Sequence, residues 1–105
     1  MREISPTELK KWKDTGADFQ LVDVREPYEA ERCNIGGTLI PLGEVVERLS
    51  EIRKDIPVVV HCKSGARSSA MIQALSARYG YDNLINLTGG ILGYGAAVAP
   101  ELNCD

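Results

Sequence analysis

Apolar positions fall in short blocks along this chain, and each block reads as a separate element. Leu9 and Trp12 stand three apart behind Ser5-Pro6-Thr7-Glu8. That segment has the form of a helix start, with Ser5 as N-cap, Pro6 at the first helical position and Glu8 three residues after the cap. Gly16 closes the helix. Phe19 to Val24 predicts a short strand. Pro27 to Glu31 predicts a short helix of good helix formers. Asn34 to Gly37 reads as a turn, and Thr38-Leu39-Ile40 as a brief strand stopped by Pro41. Leu42, Val45, Val46, Leu49 and Ile52 repeat with helical spacing and predict an amphipathic helix. Pro57 to Cys62 is a run rich in β-branched residues, the pattern of a strand covered on both faces of a parallel sheet. Met71, Ile72, Leu75 and Tyr79 share one side of a helix expected from Ser68 to Gly80. Asn83 to Leu87 is a further strand. Gly89-Gly90 leads into a last helical stretch, Ile91 to about Val98, ended by Pro100.

Strands that alternate with helices over short connections predict an α/β fold with a mainly parallel sheet. In such sheets ligands sit at the carboxyl ends of the strands. The 105 residues make one domain, spanning 1–105, with enough core for cooperative folding. The chain starts at Met1 and holds a complete set of elements, so a free-standing protein is expected.

Composition narrows the function. Hydrophobic residues are 44% and charged residues 26%, the balance of a globular domain rather than a disordered one. A net charge of −3 gives no overall basic field for nucleic acid. No stretch approaches the roughly 20 apolar residues of a membrane helix. The N-terminus, MREISPTELKKW, has no signal-peptide core, and a reducing cytoplasm is the expected compartment. Three cysteines without a CxxC pair argue against a disulfide framework and a structural zinc site. Neither a metal nor a cofactor is expected. Cys33 is expected to be partly buried, and Cys104 an exposed bystander. A disulfide from either to Cys62 is a minor alternative.

The chemistry concentrates in VVVHCKSGARSS, residues 58–69. Cys62 ends the apolar strand, a small polar loop follows, and a helix begins. Loop N–H groups can converge on an anion, and the helix adds its positive end. Lys63 and Arg67 add full charges, and Gly65 leaves room and conformational freedom. Each of these favours a thiolate at Cys62. The only histidine, His61, is adjacent to Cys62. Neighbouring strand residues point to opposite faces, so His61 is badly placed to act as its base. A nucleophile activated without a general base suits anionic substrates whose leaving group needs little proton help.

Two reactions fit: phosphate-ester hydrolysis through a phosphocysteine, and sulfur transfer through a persulfide. Four residues separate Cys62 from Arg67, one fewer than in cysteine phosphatases. The smaller cradle favours the terminal sulfur of a persulfide.

These segments together resemble the rhodanese-like domain family. Cys62-Lys63-Ser64-Gly65-Ala66-Arg67-Ser68 is similar to its active-site loop. Leu21 to Glu26 with Tyr28-Glu29 resembles its first signature, Asn34 to Pro41 its second, and Asn86 to Ile91 its C-terminal one. Asn34 and Gly36 stand where the family usually has His and Pro, and Tyr94 stands for its tryptophan. The resemblance implies a five-stranded parallel sheet flanked by helices on both faces. It implies Cys62 as sulfur carrier, with Lys63, Ser64, Gly65, Ala66, Arg67 and Ser68 forming the substrate cradle. Asp23 and Arg25 are expected to tie the neighbouring strand end to the loop. The expected partners are a small anionic sulfur donor such as thiosulfate and a thiol, cyanide or protein acceptor. A small phosphatase or arsenate reductase, or a sulfur-relay or binding module, remain the alternatives.

Overall fold

The computed structural model describes residues 1–104. Five strands form one sheet: β1 (Glu3–Ile4), β2 (Gln20–Asp23), β3 (Thr38–Leu39), β4 (Val58–His61) and β5 (Leu84–Leu87). Their order is β1-β5-β4-β2-β3, and every pairing is parallel. The helices are α1 (Pro6–Thr15), α2 (Pro27–Arg32), α3 (Ala66–Tyr79) and α4 (Gly90–Val98). β4 lies between β5 and β2, so the segment read as doubly covered is the central strand.

Period-two alternation sorts the strand residues into two cores. Val22, Val58, Val60 and Leu84 pack with Met71, Ile72 and Leu75 of α3. Val59, Ile85 and Leu87 pack on the other face with Leu9 of α1 and with Ile91 and Tyr94 of α4. Helices therefore cover both faces. A one-residue slip of β4 would exchange its two cores, which holds the register firmly. Cys62 belongs to the α3 side, and His61 follows Val59 toward the opposite face.

Three local expectations change. β1 was not anticipated, because a two-residue strand leaves no readable period. It is defined by backbone pairing, with Asn86 N donating to Arg2 O and Thr88 N to Ile4 O. The segment with helical spacing at 42–52 forms two stretches of 3₁₀ helix, Leu42–Glu44 and Val46–Glu51, rather than one α-helix. Val45, Leu49 and Ile52 still face the core. The apolar spacing was right for these three, whereas Leu42 and Val46 are exposed, and the turns close by tighter bonds such as Arg48 N to Val45 O. The helix expected from Ser68 begins at Ala66, with Gly65 as its cap. Ser68 is thereby placed inside the first turn and fully buried.

Candidate active site

Cys62 follows the last residue of the central strand, and its side chain is almost completely buried. Two contacts hold its sulfur. The Gly65 N–H donates to Sγ at 3.1 Å, and the Ser68 hydroxyl lies 3.5 Å from it. Burial raises the thiol pKa. Hydrogen bonds from the Ser68 side chain and from the Ser68, Gly65 and Ser64 amides outweigh it, so the net shift is downward. The thiolate is favoured with no base in contact. His61 is fully buried, with Nδ1 3.3 Å from the Cys62 carbonyl and Nε2 3.9 Å from Asp23 Oδ2. Burial lowers its pKa more than Asp23 raises it, so it stays neutral.

The loop is fixed from two sides. Gly65 adopts φ 109°, a region unfavourable to any side chain. Its carbonyl accepts from Asn86 Nδ2 at 3.3 Å, and Ser68 Oγ meets Asn86 Oδ1 at 2.6 Å. Ser68 has one hydroxyl proton for Asn86, the Gly65 carbonyl and the Cys62 sulfur, and the Asn86 contact is the shortest. From the other face, the first turn of α4 spends its free amides on the loop. Ile91 N donates to Cys62 O at 3.0 Å and Leu92 N to Lys63 O at 3.1 Å. A Cβ at Gly90 would collide with the Lys63 carbonyl, so only glycine permits this approach. The N-terminal turns of α3 and α4 thus both adjoin the loop. Asn86 was missed by the sequence reading. The visible signal was an amide inside the otherwise apolar run Leu84 to Leu87.

The charged residues are arranged differently from the expectation. Arg67 grips Glu29 in the first turn of α2 with both terminal nitrogens, at 2.8 and 2.9 Å. The hydrogen bond to Arg67 holds the Glu29 carboxyl at about 2. Arg25 does not join its strand end to the loop. It is buried, binds Asp23 through Nε at 2.9 Å and Nη2 at 2.8 Å, and donates to the Cys33 carbonyl at 2.8 Å. Asp23 and Arg25 therefore brace the turn after β2 against the end of α2, because a buried guanidinium must spend its donors on the nearest acceptors. Lys63 is exposed, and among the described residues its ammonium makes no hydrogen bond or ion pair.

A cleft of about 220 Å³ lies beside the loop, lined by Arg25, Tyr28, Glu29, Arg32, Lys63 and Cys104. A larger hollow of about 550 Å³ sits against α3 and the start of β5, and contains no residue of the Cys62 loop. Cys104 is no bystander: it forms a disulfide with Cys33, with Cα atoms 5.2 Å apart. The odd count concealed a bridge because the pairing joins residues 71 apart in sequence. Cys62 is the free cysteine among the described residues. The described residues contain no cluster of three or more acidic, His or Cys side chains fit for a metal, and no helix long and apolar enough to cross a membrane.

Comparison with known proteins finds a matching family and related structures. The rhodanese-like domain model matches residues 5–97. A sulfurtransferase of Allochromatium vinosum is 37% identical over 106 residues, covering 96% of this chain and 98% of that protein. A probable adenylyltransferase/sulfurtransferase of Mycobacterium tuberculosis, MoeZ, is 33% identical over 102 residues. The match covers 94% of this chain and 26% of that larger protein. A rhodanese-like domain protein of Staphylococcus aureus superimposes with a TM-score of 0.81 at 30% identity, covering 90% of this chain and 92% of that one. A rhodanese-related protein of Thermoplasma volcanium gives 0.80 at 27% identity, covering 95% and 96%.

Proposed function

The chain belongs to the rhodanese-like domain family, and from that premise we propose that it is a sulfurtransferase working through a persulfide on Cys62. The observation that carries the reading is the Cys62 sulfur itself. It is a buried thiol at the end of the central strand, with its pKa lowered by loop amides and the Ser68 hydroxyl.

In the reaction, the Cys62 thiolate attacks the outer sulfur of a thiosulfate-type donor. The new Cys62–sulfur bond forms as the donor sulfur–sulfur bond breaks, and sulfite leaves with the electron pair. Amides of residues 64, 65 and 68 that favour the thiolate also favour the anionic persulfide, so neither step needs an added base. Lys63 supplies the accessible positive charge that draws an anionic donor to the cleft. Arg67 adds less, because both its terminal nitrogens are committed to Glu29. A thiol or cyanide then takes the outer sulfur and returns the thiolate.

Incubation with thiosulfate should add the mass of one sulfur atom to the intact protein, localised to the Cys62 peptide. Cys62→Ser should abolish the adduct and the release of sulfite. An adduct that persists in Cys62→Ser overturns the assignment.

A further inference from the structure

Cys104 of the Cys33–Cys104 disulfide lines the same cleft as Lys63, the residue that follows Cys62. Cys104 and Lys63 both line it, together with Arg25, Tyr28, Glu29 and Arg32. Cys104 lies beyond the turn closed by Leu102 N and Ala99 O, and Cys33 is buried at the end of α2. The Arg25 guanidinium sits 3.6 Å from Cys33 Sγ. The outer sulfur of a Cys62 persulfide projects roughly 2 Å beyond Sγ. The protein thus places one further thiol on the wall of the cleft that Lys63 shares, and a second behind it.

We propose that reduced Cys33 and Cys104 form an internal acceptor that takes the sulfur from Cys62 and releases it as sulfide. The proposal rests on the sulfurtransferase reading above. In the first step the Cys104 thiolate attacks the outer sulfur of the Cys62 persulfide. A Cys104–sulfur bond forms, the Cys62–sulfur bond breaks, and Cys62 leaves as a thiolate. In the second step the Cys33 thiolate attacks Cys104 Sγ. The Cys33–Cys104 bond forms and hydrosulfide departs with the electron pair. The sulfane sulfur is reduced by two electrons, and the two thiols are oxidised to the bridge present in the structure. A dithiol reductant then reopens the bridge. The order follows from position: Cys104 lines the cleft, and Cys33 lies buried beside Arg25.

The test uses the full chain, reduced, freed of reductant without air and mixed with thiosulfate. The unaltered protein should release about one sulfide per chain in a single burst, and peptide mapping should find Cys33 joined to Cys104. Cys104→Ser should release no sulfide and accumulate the added sulfur on Cys62. Cys33→Ser should also release none, with added sulfur reaching Cys104. Accumulation of the adduct in these variants also shows that they fold. If the reduced, unaltered protein keeps its sulfur on Cys62 while Cys33 and Cys104 stay reduced, the internal acceptor is overturned and the transferase reading stands. The same holds if both variants release sulfide as fast as the unaltered chain. If no chain acquires an adduct on Cys62, both fall.

Discussion

Arg25 and Arg67 each grip a carboxylate through two nitrogens, Asp23 in one case and Glu29 in the other. The Arg25 side chain is 2% exposed and the Arg67 side chain 36%. At Arg25 the pair is enclosed, and its remaining donors bind carbonyls at the end of α2. Both partners have been taken out of water, so each depends on the other to offset a large desolvation cost. At Arg67 the pair sits at the rim, where water screens it and its net contribution is small. Two arginines that look alike in the sequence thus divide the work. One builds the wall of the cleft, and the other ties the loop helix to Glu29 at its edge.

Arg25→Ala should have the largest effect. It leaves Asp23 buried beside a neutral His61 and should cost about 3–5 kcal/mol, read from denaturant unfolding. A loss below about 1 kcal/mol would remove the contrast between the two pairs. Ser68→Ala tests the neutral bonds between them. It deprives Asn86 Oδ1 of its donor and should cost about 1–3 kcal/mol. It also removes the hydroxyl dipole 3.5 Å from the Cys62 sulfur, whose proton is shared with Asn86 and which helps to lower the Cys62 pKa. The pH profile of sulfur loading should therefore move to higher pH, and an unchanged profile would mean that the backbone amides alone set the thiolate.

Glu29→Gln should have the smallest effect on stability at neutral pH, because the amide keeps the shape and one acceptor oxygen for the partly exposed Arg67. The Glu29 carboxyl titrates at about 2 in the fold, against an ordinary value of 4.5. The native state therefore binds fewer protons than the unfolded chain between these values. The contribution of Glu29 is complete above pH 4.5 and fades as pH falls through about 2. The variant should lack that part of the acid slope. It also frees the Arg67 charge, so loading by an anionic donor at low salt should quicken, and the gain should shrink with added salt.

The legible part of the site was the part that is contiguous. Cys62 to Ser68 lie in one stretch, and a strand end, a glycine and a helix start are enough to say that their amides converge. The separation of His61 from the sulfur also needed only strand alternation. The alternating cores on β4 followed from its run of valines. The helix expected over 42–52 failed differently. Its apolar spacing placed Val45, Leu49 and Ile52 on the core side but missed the exposure of Leu42 and Val46, because it does not distinguish α pitch from two short 3₁₀ stretches.

What the chain determined alone was therefore local: a parallel α/β sheet and an anion-holding loop around one cysteine. Tertiary structure decided which distant residues complete it. Glu29 neutralises Arg67 across 38 positions, Asn86 holds Ser68 across 18, and Cys104 reaches Cys33 across 71. The physical reason is common to all three. A hydrogen bond, an ion pair or a disulfide requires atoms within a few ångströms. Local patterning cannot encode that proximity across the sheet; it arises when the strands align and the two cores close.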